Sequence, residues 1–196
     1  MQIQFNAGTR WRWPGVWLAL AALGSAVAGE PTAFDLVNEG NRYVGEQCKD
    51  KVVQIRSEKS IASLFPSVWY IVYYDPDATF KATEVKFGAG KKLKISRPMR
   101  MLEPVTGDHK KLDGSKLKVD SDKAIETAAA EPLLKSLTLR ATQLWLQRSD
   151  EGPVWKLRLW AARLDKPNKN VDIGEVFVSA ETGQVVKTDL HINRVD

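Results

Sequence analysis

The apolar positions of this chain change period several times, and each change predicts an element. Phe34, Val37, Asn41, Val44 and Cys48 recur at alternating intervals of three and four, the stripe of an amphipathic helix. Thr32 followed by Asp35 supplies a capping pattern for free N–H groups at its start, so a helix is expected from Ala33 to about Gln47. Lys51 to Ser57 then reads as a strand. Val68 to Asp75 is β-branched and aromatic on both faces and is expected to be central and covered on both sides. Asp75-Pro76-Asp77 is a turn, and Gly88-Ala89-Gly90 joins strands over 83–87 and 91–96 as a hairpin.

The order then recurs. Ser121-Asp122 precedes a strong helix former over 123–130, which Pro132 ends. Leu137 to Arg148 reads as a long strand whose apolar parity shifts near Gln143, the mark of a bulge. Trp155, Leu157 and Leu159 alternate with Lys156 and Arg158. Strands over 174–178 and 184–188 flank the turn Ala180-Glu181-Thr182-Gly183. Pro66 to Trp69 matches Gly152 to Trp155, and Glu84 to Phe87 matches Glu175 to Val178. The expected fold class is therefore α+β: two tandem helix-plus-antiparallel-sheet repeats, at 31–97 and 119–192, joined by a basic linker at 98–118.

The N-terminus has a different pattern. Arg10 and Arg12 precede an apolar run from Val16 to Ala28 that ends in Ala26-Val27-Ala28. Basic flank, short apolar helix and small-residue site predict a secretory signal peptide over residues 1–28. The run is shorter than the ~20 residues that spanning requires. The expected location is the periplasm or the exterior, with no stable transmembrane span after cleavage.

Composition adds two constraints. The chain beyond residue 28 carries 27 basic and 24 acidic residues, and a net charge of +3 does not imply nucleic acid as a partner. The charge is uneven: residues 86–118 hold ten Lys or Arg against three acids. That segment is either a solvated hairpin and linker or a patch for an anionic partner, with Lys91, Lys92 and Lys94 as its candidate contacts. Cys48 is the only cysteine, so no intramolecular disulfide forms, and its place on the helical stripe predicts a buried inert thiol, the alternative being an intermolecular disulfide or a catalytic nucleophile.

The second half resembles a PepSY-type domain. Val119 to Glu126 resembles that family's capped opening helix, and Gly174 to Val185 resembles its closing hairpin, with Ser179 where the pattern often has Asp or Asn. The resemblance covers residues 119–189 clearly and the first half weakly, since Gly88-Ala89-Gly90 lacks the Asp and Thr of the turn. It implies a helix packed on a curved antiparallel sheet outside the cytoplasm, and an inhibitory or protein-binding role without catalytic residues.

A search for chemistry gives little. His109 and His191 have no second His or Cys at metal-ligand spacing, and neither a Gly-rich phosphate loop nor a Gly-x-Ser-x-Gly elbow occurs. No catalytic residue, metal or cofactor is expected. Glu84 and Glu175 hold equivalent strand positions, either as a carboxylate pair or as two solvent-facing residues. Trp155, Arg158 and Trp160 are the candidate binding residues of the second half, because an exposed Trp beside Arg is a common hot spot. The expected function is non-enzymatic binding of a protein or peptide in the cell envelope. The alternative is a small-molecule carrier or enzyme with an apolar site between helix and sheet.

Overall fold

The computed structural model describes residues 30–99 and 111–195. The expected signal peptide lies outside them, as does most of the basic linker.

Two short helices and eight strands follow one another in the order α1 (Ala33–Gly40), β1 (Val52–Ser57), β2 (Val68–Tyr74), β3 (Ala82–Gly88), β4 (Lys91–Ser96), α2 (Ser121–Ala129), β5 (Leu139–Ser149), β6 (Gly152–Ala162), β7 (Asn170–Ser179) and β8 (Val185–Leu190). All eight strands form one sheet in the order β4-β3-β2-β1-β5-β6-β7-β8, and every pairing is antiparallel. Both helices pack on the same core. Leu36 of α1 and Ala124, Ile125 and Ala128 of α2 meet Ile55, Trp69, Ile71, Phe87, Leu144, Leu146, Trp155, Leu157 and Val176 of the sheet in one buried cluster.

This overturns the expected fold class. The chain is mostly β, with one continuous eight-stranded sheet and helices of only eight and nine residues. It is not an α+β pair of helix-plus-sheet repeats. Two physical causes are visible. First, β1 and β5 pair through Ile55 opposite Leu146 and Arg56 opposite Trp145, which removes two sheet edges that separate units would have exposed. Second, neither helix is long enough to cover four strands alone, so the apolar faces merge. Phe34 of α1 stacks on Trp155 of β6 (centroids 6.1 Å apart), and Trp69 of β2 meets the same Trp155 edge-on at 6.5 Å.

The first helix is shorter than its apolar stripe suggests. The capping box forms as expected, with the Thr32 hydroxyl accepting from Asp35 N–H and the Asp35 carboxylate accepting from Thr32 N–H. The helix stops at Gly40, which lies against the Tyr73 hydroxyl: a Cβ there would stand 2.3 Å from that oxygen. The chain turns after Asn41, and Cys48 reaches the core from a single 3₁₀ turn instead. The bulge expected near Gln143 falls between Leu139 and Ala141. β2 is third from its edge, and only part of its outer face is covered: Val72 is buried while Tyr70 and Tyr74 are partly exposed.

The helix N-termini meet. The Asp120 carboxylate accepts the N–H of Ser121 at 2.6 Å in its own helix and the N–H of Phe34 at 3.2 Å in the other. The Ser121 hydroxyl accepts from Ala33 N–H at 3.1 Å. Burial pushes the Asp120 carboxyl above its ordinary range, against the pull of these hydrogen bonds. One side chain thereby satisfies orphan donors at both helix starts.

Candidate functional site: a cation and aromatic row on the open sheet face

The helices cover one face of the sheet. On the other, antiparallel register sets one residue from each strand in line: Lys94, Lys86, Tyr70, Arg56, Trp145, Lys156, Phe177 and Lys187, from β4 across to β8. From Lys86 onward cation and aromatic alternate strictly. The row holds no carboxylate.

The rings are gripped by their neighbours. Arg56 sits 4.0 Å from the Tyr70 ring centroid on one side, and Lys86 sits 4.9 Å from it on the other. Lys156 lies 5.5 Å from Trp145, and Lys187 lies 5.4 Å from Phe177. Each contact is of cation–π type. Outside the row, Trp160 carries Lys59 at 4.2 Å and Arg158 at 5.7 Å, and Tyr74 carries Lys51 at 5.8 Å.

Carboxylates border the row. Arg56 pairs with Glu84 at 2.7 Å, Lys86 with Glu58 at 2.9 Å and Lys156 with Glu175 at 3.0 Å. The Tyr70 hydroxyl also donates to Glu58. Lys86 and Tyr70 together hold the Glu58 carboxyl below its ordinary range, and the same Glu58 bond raises the Lys86 ammonium to about 12. Glu84 and Glu175 do not pair with each other: they lie on β3 and β7, at opposite ends of the sheet, and each serves its own base.

The residues singled out from the sequence are dispersed. Trp155 lies in the core at 0% exposure, with its indole N–H donating to the Val119 carbonyl, so it offers no surface to a partner. Trp160 is partly exposed on the open face, and Arg158 beside it is bound to Asp172. Lys91, Lys92 and Lys94 lie exposed on edge strand β4. Of the three only Lys94 joins the row, since Lys92 turns to the helix side over the Tyr43 ring at 4.7 Å. The sequence reading missed Arg56, Tyr70, Lys86, Trp145, Lys156, Phe177 and Lys187 as one set. Their alternation within single strands was legible, but their alignment depends on seven inter-strand registers.

Among the described residues, clefts also lie away from the row. One, of 460 Å³, is lined by Cys48, Asp75, Thr83, Ser96 and Arg97. Its carboxylate is spoken for: Asp75 accepts from the Thr83 hydroxyl at 2.6 Å, from Asp77 N–H at 2.9 Å and from Arg97 at 3.1 Å. Burial and the nearby Asp75 push the Cys48 thiol up to about 11, which keeps it protonated rather than nucleophilic. Another cleft, of 640 Å³, interleaves Asp50, Asp113 and Glu151 with Lys111, Lys116 and Arg148 at the β5–β6 turn. Among the described residues, no group of three His, Cys, Asp or Glu side chains is placed to hold a metal ion, and no helix is long and apolar enough to cross a membrane.

In comparisons with known proteins, no family model, no curated protein and no solved structure matches the chain.

Proposed function

We propose that this protein is a non-enzymatic binding module of the cell envelope, exported through residues 1–28, that presents the open face of its sheet to a protein or peptide. The observation that carries the reading is the row from Lys86 to Lys187. Seven strands in succession place a cation or an aromatic ring on one line that, among the described residues, neither helix covers. Aromatic rings and arginine, here Tyr70, Trp145, Phe177 and Arg56, are the residue types that anchor protein interfaces. The resemblance of residues 119–189 to PepSY-type domains supports the same assignment, because the role proposed for that family is also inhibitory or protein-binding. The alternative, an apolar ligand held between helix and sheet, is weakened by what occupies that space: Trp155 lies there with Phe34 stacked on it and Trp69 against it edge-on.

The test is site-specific photo-crosslinking in cells that make the full chain. A photoreactive residue at Trp145 should give a discrete adduct with one other protein. The same residue at Leu133, which is exposed on the turn after α2, should not. No adduct at position 145, or equal adducts at both, would sink the proposal.

A further inference from the structure

Resting on that reading, we propose that the segment bound by the open face is an extended acidic peptide, laid across the strands along the row from Lys86 to Lys187, with a carboxylate at about every third residue.

The spacing is geometric. Neighbouring strands lie about 4.8 Å apart, so Lys86, Arg56, Lys156 and Lys187, each two strands from the next, recur at about 9.6 Å. A peptide in the extended polyproline II conformation advances about 3.1 Å per residue with three residues per turn, so every third side chain faces the row at intervals of about 9.3 Å and about ten residues bridge it. Arg56 and Lys156 each keep donors beyond the single carboxylate that they hold, since a guanidinium has five N–H groups and an ammonium three. Among the described residues, neither Lys94 nor Lys187 makes an ion pair, and both are exposed.

Two features select the class of partner. The rings carry cations: Tyr70 stands between Arg56 and Lys86, while Trp145 and Phe177 each carry one, Lys156 and Lys187. Beside the rings stand guanidinium and ammonium heads, the donors that pair most strongly with carboxylates. Nucleobases stack on free ring faces, and Tyr70, held between two cations, offers none, while Trp145 and Phe177 each have one face taken. The row is also narrow. Glu84 borders it on one side, and Glu58, Glu175 and Asp189 border it on the other. A broad surface of one sign, such as a sheet of anionic headgroups, would meet these carboxylates. A single line of acidic side chains on a peptide would not.

The probe is a synthetic peptide of about ten residues with Glu at every third position, titrated against the full chain and followed by tryptophan fluorescence. Its Gln counterpart, an oligothymidylate of equal charge and phosphatidylglycerol vesicles serve as comparisons. The Glu peptide should bind with marked salt dependence. The Gln peptide, or the Lys187→Glu variant, should weaken binding by about tenfold or more, with the circular dichroism of the variant unchanged. Equal binding of the Gln peptide, or tighter binding of oligothymidylate or vesicles, overturns the inference. If crosslinking at Trp145 yields a partner while the Glu peptide fails to bind, the acidic assignment falls and the binding module stands. If neither occurs, both fall.

Discussion

The Asp120 carboxylate lies 3.2 Å from the backbone N–H of Phe34, eighty-six residues earlier in the chain, and caps a helix to which it does not belong. This bond and the β1–β5 pairing fasten the same two portions of the chain on the two layers of the fold. Loss of a helix cap costs about 1 kcal/mol. Asp120 caps two helices, so Asp120→Ala should lower the urea stability by about 2 kcal/mol. Asp120→Asn should lower it less, because an amide oxygen still accepts. An Ala variant with the midpoint of the natural chain would show that the shared cap contributes nothing.

Gly174 is fixed by a close approach of backbone. It has φ of +106°, and a Cβ there would stand 2.0 Å from the Asp189 carbonyl oxygen in β8. Gly174→Ala must therefore strain β7 or push β8 away, at about 1–3 kcal/mol for the backbone alone. Hydrogen exchange is the direct measurement. Amides of β8 should lose protection while those of β1 and β2 keep theirs, and uniform protection would contradict this account.

Cys48 should be almost inert to thiol reagents while the chain is folded. Its thiol is 1% exposed and raised from 9.0 to about 11, which leaves roughly a hundredfold less thiolate at pH 8 than an ordinary cysteine. Labelling should accelerate sharply as urea crosses the unfolding transition. Fast labelling without denaturant would mean that the 3₁₀ turn opens on its own.

Asp75 gives the stability of the protein an acid limb. Burial alone would raise its carboxyl, but hydrogen bonds from Thr83 and Asp77 N–H and the charge of Arg97 outweigh burial and hold it below 3.8. A group lowered on folding contributes stability that is fully present above its unfolded value and fades as the pH falls through its folded one. Its contribution is therefore complete above about pH 4 and lost below it. Asp75→Asn should destabilise the chain by about 1–3 kcal/mol at pH 7 through broken hydrogen bonds. Below pH 4 its stability should fall less steeply than that of the natural chain. Parallel curves for the two would remove Asp75 from the account.

Much of the local structure was legible because it depends on near neighbours. The Thr32 and Asp35 pair marked the start of α1, and alternation of Trp155, Leu157 and Leu159 with Lys156 and Arg158 assigned the faces of β6. The 3-4 stripe from Phe34 to Cys48 misled: α1 ends at Gly40 and buries Ala33, Leu36 and Gly40, while Phe34 and Val37 are only partly buried and Cys48 is brought in by a separate 3₁₀ turn. The row was hidden for a related reason. Arg56 and Trp145 are far apart in the chain, and nothing local to either says that they stand opposite each other.

By itself, then, the sequence determined the order of helices and strands, the capped start of α1, the core face of β6 and the burial of Cys48. The tertiary structure alone decided that β1 and β5 join, that eight strands make one sheet in place of two units, and that Arg56 stands opposite Trp145. The reason is physical. Strand edges and apolar faces seek cover wherever the chain offers it, and which edge finds which is settled by long-range pairing that no short window of residues contains.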